Sequence, residues 1–197
     1  MHDKILVNLG SGGGTARLPA FFEHWRNVRV DVDPATEPDL VADLVDLGAI
    51  PADTADAVWV CHSLEHLYRH QVVGALSEMR RIVKPSGFVC VRVPDLQTVA
   101  GHIADDRLHE VLYTSEAGPV TAHDVLFGFG PDVARGRTAM AHRTGFTPTV
   151  LVRSLKQAGF ASLFVRRQPN LELVALARDA EWSGDGEPAH LLGSLGL

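Results

Sequence analysis

Leu6-Val7-Asn8-Leu9-Gly10-Ser11-Gly12-Gly13-Gly14 is the stretch on which the reading of the whole chain turns. Ile5 to Val7 is an apolar run suited to a buried strand, and it stops abruptly in a cluster of glycines. A short helical pattern follows, then a second strand, Val28-Arg29-Val30, closed by Asp31. Strand, glycine turn, helix, strand and an acid about twenty residues beyond the turn form the skeleton of a nucleotide-binding βαβ unit. Glycine serves in such a turn because a side chain would keep the backbone from a ligand or from positive φ. The carboxylate after the second strand supplies acceptors for the two hydroxyl donors of a ribose.

The surroundings of this unit narrow its setting. With 197 residues, the chain is long enough for one domain with a substantial core. A net charge of −6 argues against general affinity for nucleic acid or anionic membrane. Nothing approaches a transmembrane run, and Met1-His2-Asp3-Lys4 does not open a signal peptide, so a cytoplasmic protein is expected. Cys61 and Cys90 each lie in an apolar run and read as buried thiols without metal-ligand spacing; no metal site is expected.

Outward from the glycines, Leu18, Phe21, Phe22 and Trp25 recur at i, i+3, i+4 and i+7, the face of a short helix packed on a sheet. Pro34 and Pro38 leave no room for a crossover helix before Leu40-Val41-Ala42, which predicts a short third strand at the sheet edge, ended by Asp43. Ala57 to Cys61 is an apolar fourth strand, followed by a helix through Val72, Leu76, Met79 and Val83 and a fifth strand, Phe88 to Val93. Residues 96–146 read as a long irregular insertion, with Leu96 to Ile103 as its one helical stretch. Thr147 as N-cap, Pro148 at N1 and Gly159 at C′ frame a late helix. Phe160–Val165 and Leu171–Ala177, joined by a short link, predict an antiparallel hairpin. The fold expected is α/β: a doubly wound, mostly parallel sheet of about seven strands, trimmed around the third and ending in an antiparallel hairpin. Residues 1–178 are expected to form a single domain, with 179–197 as a C-terminal tail from which Leu191, Leu192 and Leu195 dock.

The antiparallel finish is unlike the dehydrogenase fold, which continues with a second parallel half. It resembles the class I S-adenosylmethionine-dependent methyltransferases, whose seventh strand inserts antiparallel beside the fifth. Asn8 to Gly14 is similar to that family's first motif, Val30-Asp31-Val32-Asp33-Pro34 to its second-strand motif, and Asp39 to Leu44 to its third-strand segment. Asp56 to Leu67 resembles the fourth-strand motif, Arg80 to Gly87 the turn into the fifth strand, and Gly145 to Phe160 the late helix. The resemblance implies the Rossmann-like methyltransferase fold, S-adenosylmethionine as cofactor, and a cofactor site at Asn8, Gly10, Ser11, Gly12, Asp31, Val32, Asp43, Leu44, Cys61 and His62. Asp31 takes the ribose position and Asp43 lies near the adenine amino group. Asn8 stands where the family usually carries an acid, so charge complementarity to the methionine ammonium is missing there. Cys61-His62-Ser63-Leu64 replaces the Pro-Pro-aromatic run of enzymes that methylate base amino groups.

Methyl transfer from a sulfonium mainly requires alignment, and orientation alone can supply roughly 7–11 kcal/mol. His62, at the strand end facing the expected methyl, is the candidate base, its ordinary pKa suiting proton acceptance near neutrality. A ring that merely packs while its backbone lines the cofactor is the alternative. Glu65 and His66 read as structural hydrogen-bonding residues, and Asp95 is expected at the same crevice. The insertion should roof a small or medium-sized acceptor, with His123, His142 and Arg143 as candidate contacts. From Val133 to Gln168 the charges are Arg135, Arg137, Arg143, Arg153, Lys156, Arg166 and Arg167, without an acid, which suits either an anionic acceptor or a solvated face. Methyl transfer to oxygen or nitrogen of a small molecule is thus expected, beside a non-catalytic cofactor-binding scaffold and, disfavoured by the hairpin, a nicotinamide-dependent oxidoreductase.

Overall fold

In a computed structural model, which describes residues 4–13, 18–115, 117–182 and 187–197, the strand run of the sequence becomes one seven-stranded sheet. Strands β1 (Ile5–Leu9), β2 (Arg26–Asp31), β3 (Leu40–Val41) and β4 (Ala55–Cys61) precede helix α1 (Val72–Ile82) and strand β5 (Val83–Pro94). Helix α2 (Leu96–Ala104), hairpin β6 (Val111–Ser115) and β7 (Gly118–Thr121), and helices α3 (Ala122–Phe127) and α4 (Gly130–Ala134) follow. Helix α5 (Pro148–Gln157), strands β8 (Ser162–Gln168) and β9 (Glu172–Arg178) and helix α6 (Pro188–Ser194) complete the chain. The order is β3-β2-β1-β4-β5-β9-β8, with β1 to β5 parallel and β9 antiparallel to both its neighbours. This is the trimmed, mostly parallel sheet with an antiparallel hairpin that the sequence predicts.

Both faces of the sheet are covered, which is why β4 and β9 are apolar almost throughout. On one face α1 and α5 pack through Leu76, Met79, Leu151 and Leu155, all fully buried. On the other, Phe22 meets Trp59 edge-on at 5.9 Å and Phe21, Trp25 and Phe88 extend the aromatic cluster. Leu192 of α6 and Leu195 just beyond it bury themselves on that same face.

Two expectations are corrected. The face of Leu18, Phe21, Phe22 and Trp25 is carried by a single 3₁₀ turn, Ala20–Phe22, among the described residues. Strand β2 begins already at Arg26, and the few residues left after Pro19 are too short to sustain an α-helix, whose nucleation is costly. The aromatic rings anchor the segment in its place. Residues 96–146 are not irregular: α2, the β6–β7 hairpin and α3 build a core of their own around Val99, Val120, Ala122 and Val125. Thr121 and Asp124 close a capping box there, each side chain bonding the other residue's backbone N–H.

The third-strand link contains no α-helix, only a 3₁₀ turn at Pro34–Thr36, and β3 has two residues at the sheet edge. Alignment of Leu9 with Val30 and Val60, and of Cys61 with Arg92, brings the carboxyl ends of β1, β2, β4 and β5 to one edge. Because β9 runs the other way, Glu172, its first residue, arrives at that edge opposite Pro94.

Candidate active site

At this edge the glycine turn closes over β2. The Gly10 and Ser11 N–H groups donate to the Val30 carbonyl at 2.8 and 3.2 Å, and Gly12 N–H donates to Asp31 Oδ2 at 2.8 Å. Gly10 has φ +65°, and a Cβ there would stand 2.0 Å from Ser63 Oγ, so both conformation and close approach require glycine. Asp31 Oδ1 accepts from Asp33 N–H at 2.9 Å. Each Asp31 oxygen therefore carries one backbone donor and keeps a lone-pair site for a ligand hydroxyl. Asp43 Oδ1 accepts from Val45 N–H at 3.1 Å, a local turn that holds the carboxylate at the rim.

A cavity of about 700 Å³ opens above these residues. Gly10, Gly12, Asp31, Val32, Asp43, Leu44 and His62 all line it, so seven of the ten positions expected at the cofactor converge on one space. Asn8 and Ser11 lie beneath the turn, 7% and 3% exposed, and Ser11 Oγ is buried without a hydrogen-bond partner. Cys61 stays half-buried behind the wall, burial pushing its thiol pKa up. Gly14 falls outside the described residues.

The wall formed by β4, β5 and β9 is charged. His62 adopts φ +50°, a conformation that L side chains seldom take outside constrained sites. Its Nε2 is 2.7 Å from Glu172 Oε1 and its Nδ1 3.3 Å from Glu65 Oε1. Glu172 Oε2 accepts from Arg92 Nη2 at 2.5 Å and from Nε at 3.2 Å. Burial opposes charge on His62, but Glu172 and Glu65 together raise its pKa well above the ordinary value. Burial likewise works against ionised Glu172, yet His62 and Arg92 bring it down to about 2. Both ring nitrogens of His62 thus face carboxylates, while 38% of its side chain stays accessible. Carboxylates on both nitrogens favour the charged ring, which lacks the lone pair that a general base needs.

The roof comes from the far end of the insertion: Gly136, Arg137, the 3₁₀ turn Thr138–Met140, and Arg143. Arg143 Nη1 donates to the His66 carbonyl at 3.0 Å, and its guanidinium lies over the Tyr68 ring. His142 does not line the cavity; its ring packs on His66 at 4.9 Å behind the wall. His123 is elsewhere, against Phe127 and His109, because its own backbone is tied to Leu108. The basic segment does not form one wall. Arg137 and Arg143 reach the cavity, Arg153 and Lys156 line a separate groove on α5, and Arg167 binds Asp95 and Gln97. Asp95 is 1% exposed and committed to capping α2 through Gln97 and Thr98, so it is not open to the crevice.

Glu172, Arg92 and the roof turn were not picked out from sequence as site residues. The signal for the first two was present, since an arginine inside the apolar strand Cys90-Val91-Arg92-Val93 must find a buried counter-charge.

A methyltransferase-domain family model matches residues 7–91, the span from β1 to β5 that carries the glycine turn, Asp31, Asp43 and His62. Among solved structures the chain is similar to a protein from Pyrococcus horikoshii OT3 (TM-score 0.61, 14% identity, 89% of this chain and 82% of that one). It is similar to a SAM-dependent methyltransferase from Archaeoglobus fulgidus (TM-score 0.59, 14% identity, 89% and 86%). It is also similar to the Burkholderia thailandensis 1,6-didemethyltoxoflavin-N1-methyltransferase with bound S-adenosylhomocysteine (TM-score 0.55, 15% identity, 91% and 72%). At such identities these likenesses carry the fold. No curated protein matches the sequence. The match identifies a methyltransferase-domain segment over residues 7–91, and the sheet order is that of the Rossmann-like fold of the S-adenosylmethionine-dependent methyltransferase structures it resembles. Among the described residues, no helix is long and apolar enough to cross a membrane.

Proposed function

We propose that S-adenosylmethionine lies in the 700 Å³ cavity between the glycine turn and the insertion roof, and that its methyl passes to oxygen or nitrogen of a small or medium-sized anionic acceptor. The observation that carries this reading is the union of two unlike surfaces in one space. Gly10, Gly12, Asp31 and Asp43 supply backbone and carboxylate acceptors suited to a nucleoside; Arg137, Met140 and Arg143 supply a mixed basic and apolar lid. The volume falls within the range of about 300–1,000 Å³ usual for small-molecule sites. Asp31 accepts from the ribose hydroxyls, a charge-assisted bond of about 1.5–3 kcal/mol, and Asp43 accepts from the adenine amino group. Ser11, whose buried hydroxyl has no hydrogen-bond partner, and the buried Asn8 support the turn from beneath and do not line the cavity.

In this reading His62 does not remove a proton. Held by Glu65 and Glu172 in a charge-balanced wall, it orients the acceptor beside the transferred methyl, while Arg137 and Arg143 of the cavity lining favour an acceptor arriving as an anion. The reaction then rests on alignment and exclusion of water. A cytoplasmic setting is in keeping with Cys61 and Cys90, both free thiols. The test is release of S-adenosylhomocysteine across a panel of phenolates, carboxylates and amines. Turnover on an anionic acceptor, reduced at least about tenfold in Arg143→Ala, is expected. Tight cofactor binding with no turnover on any acceptor would instead favour a non-catalytic scaffold.

A further inference from the structure

Behind the His62 wall, Glu65, His66 and His142 each offer one ligand atom, and these atoms lie within 4.8 Å of one another. We propose that these three residues form a binding site for a divalent transition-metal ion of the zinc class, set beside the cavity with a coordination position open toward it. Three observations converge on it. Both Glu65 oxygens are buried without a hydrogen-bond partner, in a residue 1% exposed. His62 Nδ1 faces Glu65 Oε1 at 3.3 Å and shares part of its charge, while Glu65 Oε2 has no polar partner at all. A buried carboxylate with one oxygen unpartnered still has room for a second cation on that side.

The two imidazoles are set as ligands are set. His66 Nδ1 faces the Ala141 carbonyl at 3.3 Å and His142 Nδ1 faces the Val125 carbonyl at 2.8 Å. A carbonyl only accepts, so Nδ1 donates in both rings and Nε2 is the nitrogen left to ligate. This is the outer arrangement that fixes tautomer and orientation in metal-binding histidines. The ligand set of two imidazoles and one carboxylate suits zinc and its neighbours, which leave further positions to water or substrate.

The backbone holds the two halves of the site together across a long loop. Arg143 and Thr144 N–H groups donate to the Glu65 carbonyl at 2.8 and 3.2 Å, and His142 N–H donates to the Phe127 carbonyl at 3.1 Å. Tetrahedral zinc with bonds near 2.1 Å separates its ligand atoms by about 3.4 Å, so closing the site needs only side-chain rotations of about an ångström. His66 lines the cavity, and an ion bound to it would accept an acceptor oxygen as a further ligand, favouring its anion without a base. That use rests on the methyl-transfer reading above; the existence of the site does not.

The experiment uses the full chain, free of any histidine tag and stripped with chelator, and Zn²⁺ and Co²⁺ alone as probes. Competition against a chromophoric chelator should give one Zn²⁺ per chain, and Co²⁺ should develop the visible absorption of low-coordinate cobalt. His66→Ala, His142→Ala and the near-isosteric Glu65→Gln should each weaken Zn²⁺ at least about tenfold, as expected for loss of a ligand. His123→Ala, outside the cluster, should leave it unchanged, and circular dichroism with thermal melting reads the folding of each variant. Binding of Zn²⁺ by the unsubstituted protein no tighter than by folded His142→Ala would overturn the proposal. Calorimetry with S-adenosylhomocysteine on the metal-free protein reads the cofactor site separately, so failure of either reading is distinguishable from failure of the other.

Discussion

The two sides of the cavity are made differently. The β1–β2 side is local: the glycine turn, Asp31 and Asp43 fall within a short stretch, and their hydrogen bonds run largely between backbone and near neighbours. The β4–β5–β9 side is assembled over distance, His62 meeting Glu172 across 110 residues and Arg92 meeting the same glutamate across 80. A local site tolerates loss of one contact, because the turn is held by several. A network of buried charges does not, since removing one partner strands the others.

That contrast can be broken by substitution. The largest effect is expected for Glu172→Ala, which leaves Arg92 and His62 without their shared carboxylate and should cost about 3–5 kcal/mol in urea unfolding. A loss below about 1 kcal/mol would show that the charged wall is loosely solvated. Next comes Gly10→Ala, which meets Ser63 and takes an unfavourable φ, at about 2–3 kcal/mol. Adding Ser63→Gly should recover the steric part, and a failure to do so would place the strain in the backbone alone.

Acid sharpens the same difference. Glu172 is depressed from an ordinary 4.5 to about 2 by His62 and Arg92, against the effect of burial. Its stabilisation is therefore complete above pH 4.5 and lost as pH falls toward 2. His62 moves the opposite way: raised well above 6.5, it contributes fully below that pH and loses its contribution as pH rises through the folded-state pKa. Unfolding free energy followed against pH should show the acid limb in the unsubstituted protein and a flatter one in Glu172→Gln. The smallest effect belongs to His123→Ala, outside both sides of the site, with stability within about 0.5 kcal/mol and unchanged turnover.

The same contrast explains what the sequence discloses. Strand order, the missing crossover helix before β3 and the antiparallel return of β9 are written in local patterns of apolar residues, prolines and glycines, and all are legible. The convergence of Gly10, Gly12, Asp31, Asp43 and His62 follows from the sheet edge alone. Glu172 stayed hidden because its place depends on the direction of β9 and on register with Pro94, which no single segment encodes. The setting of His62 was half hidden for the same reason: Glu65 stands three residues on, but Glu172 meets the ring from 110 residues away. The insertion misled because α2, α3 and the β6–β7 hairpin are stabilised by one another, around Val99 and Val120, and only weakly by their own periodicity.

The central claim is that the cavity above Asp31 holds the sulfur nucleoside. Calorimetry of S-adenosylhomocysteine and NAD with the unsubstituted protein and with Asp31→Ala tests it most directly. One S-adenosylhomocysteine per chain, no heat with NAD and at least about tenfold weaker nucleoside binding in Asp31→Ala are expected from the loss of a charge-assisted bond. Undiminished affinity in Asp31→Ala, or binding of NAD in place of S-adenosylhomocysteine, would contradict the account.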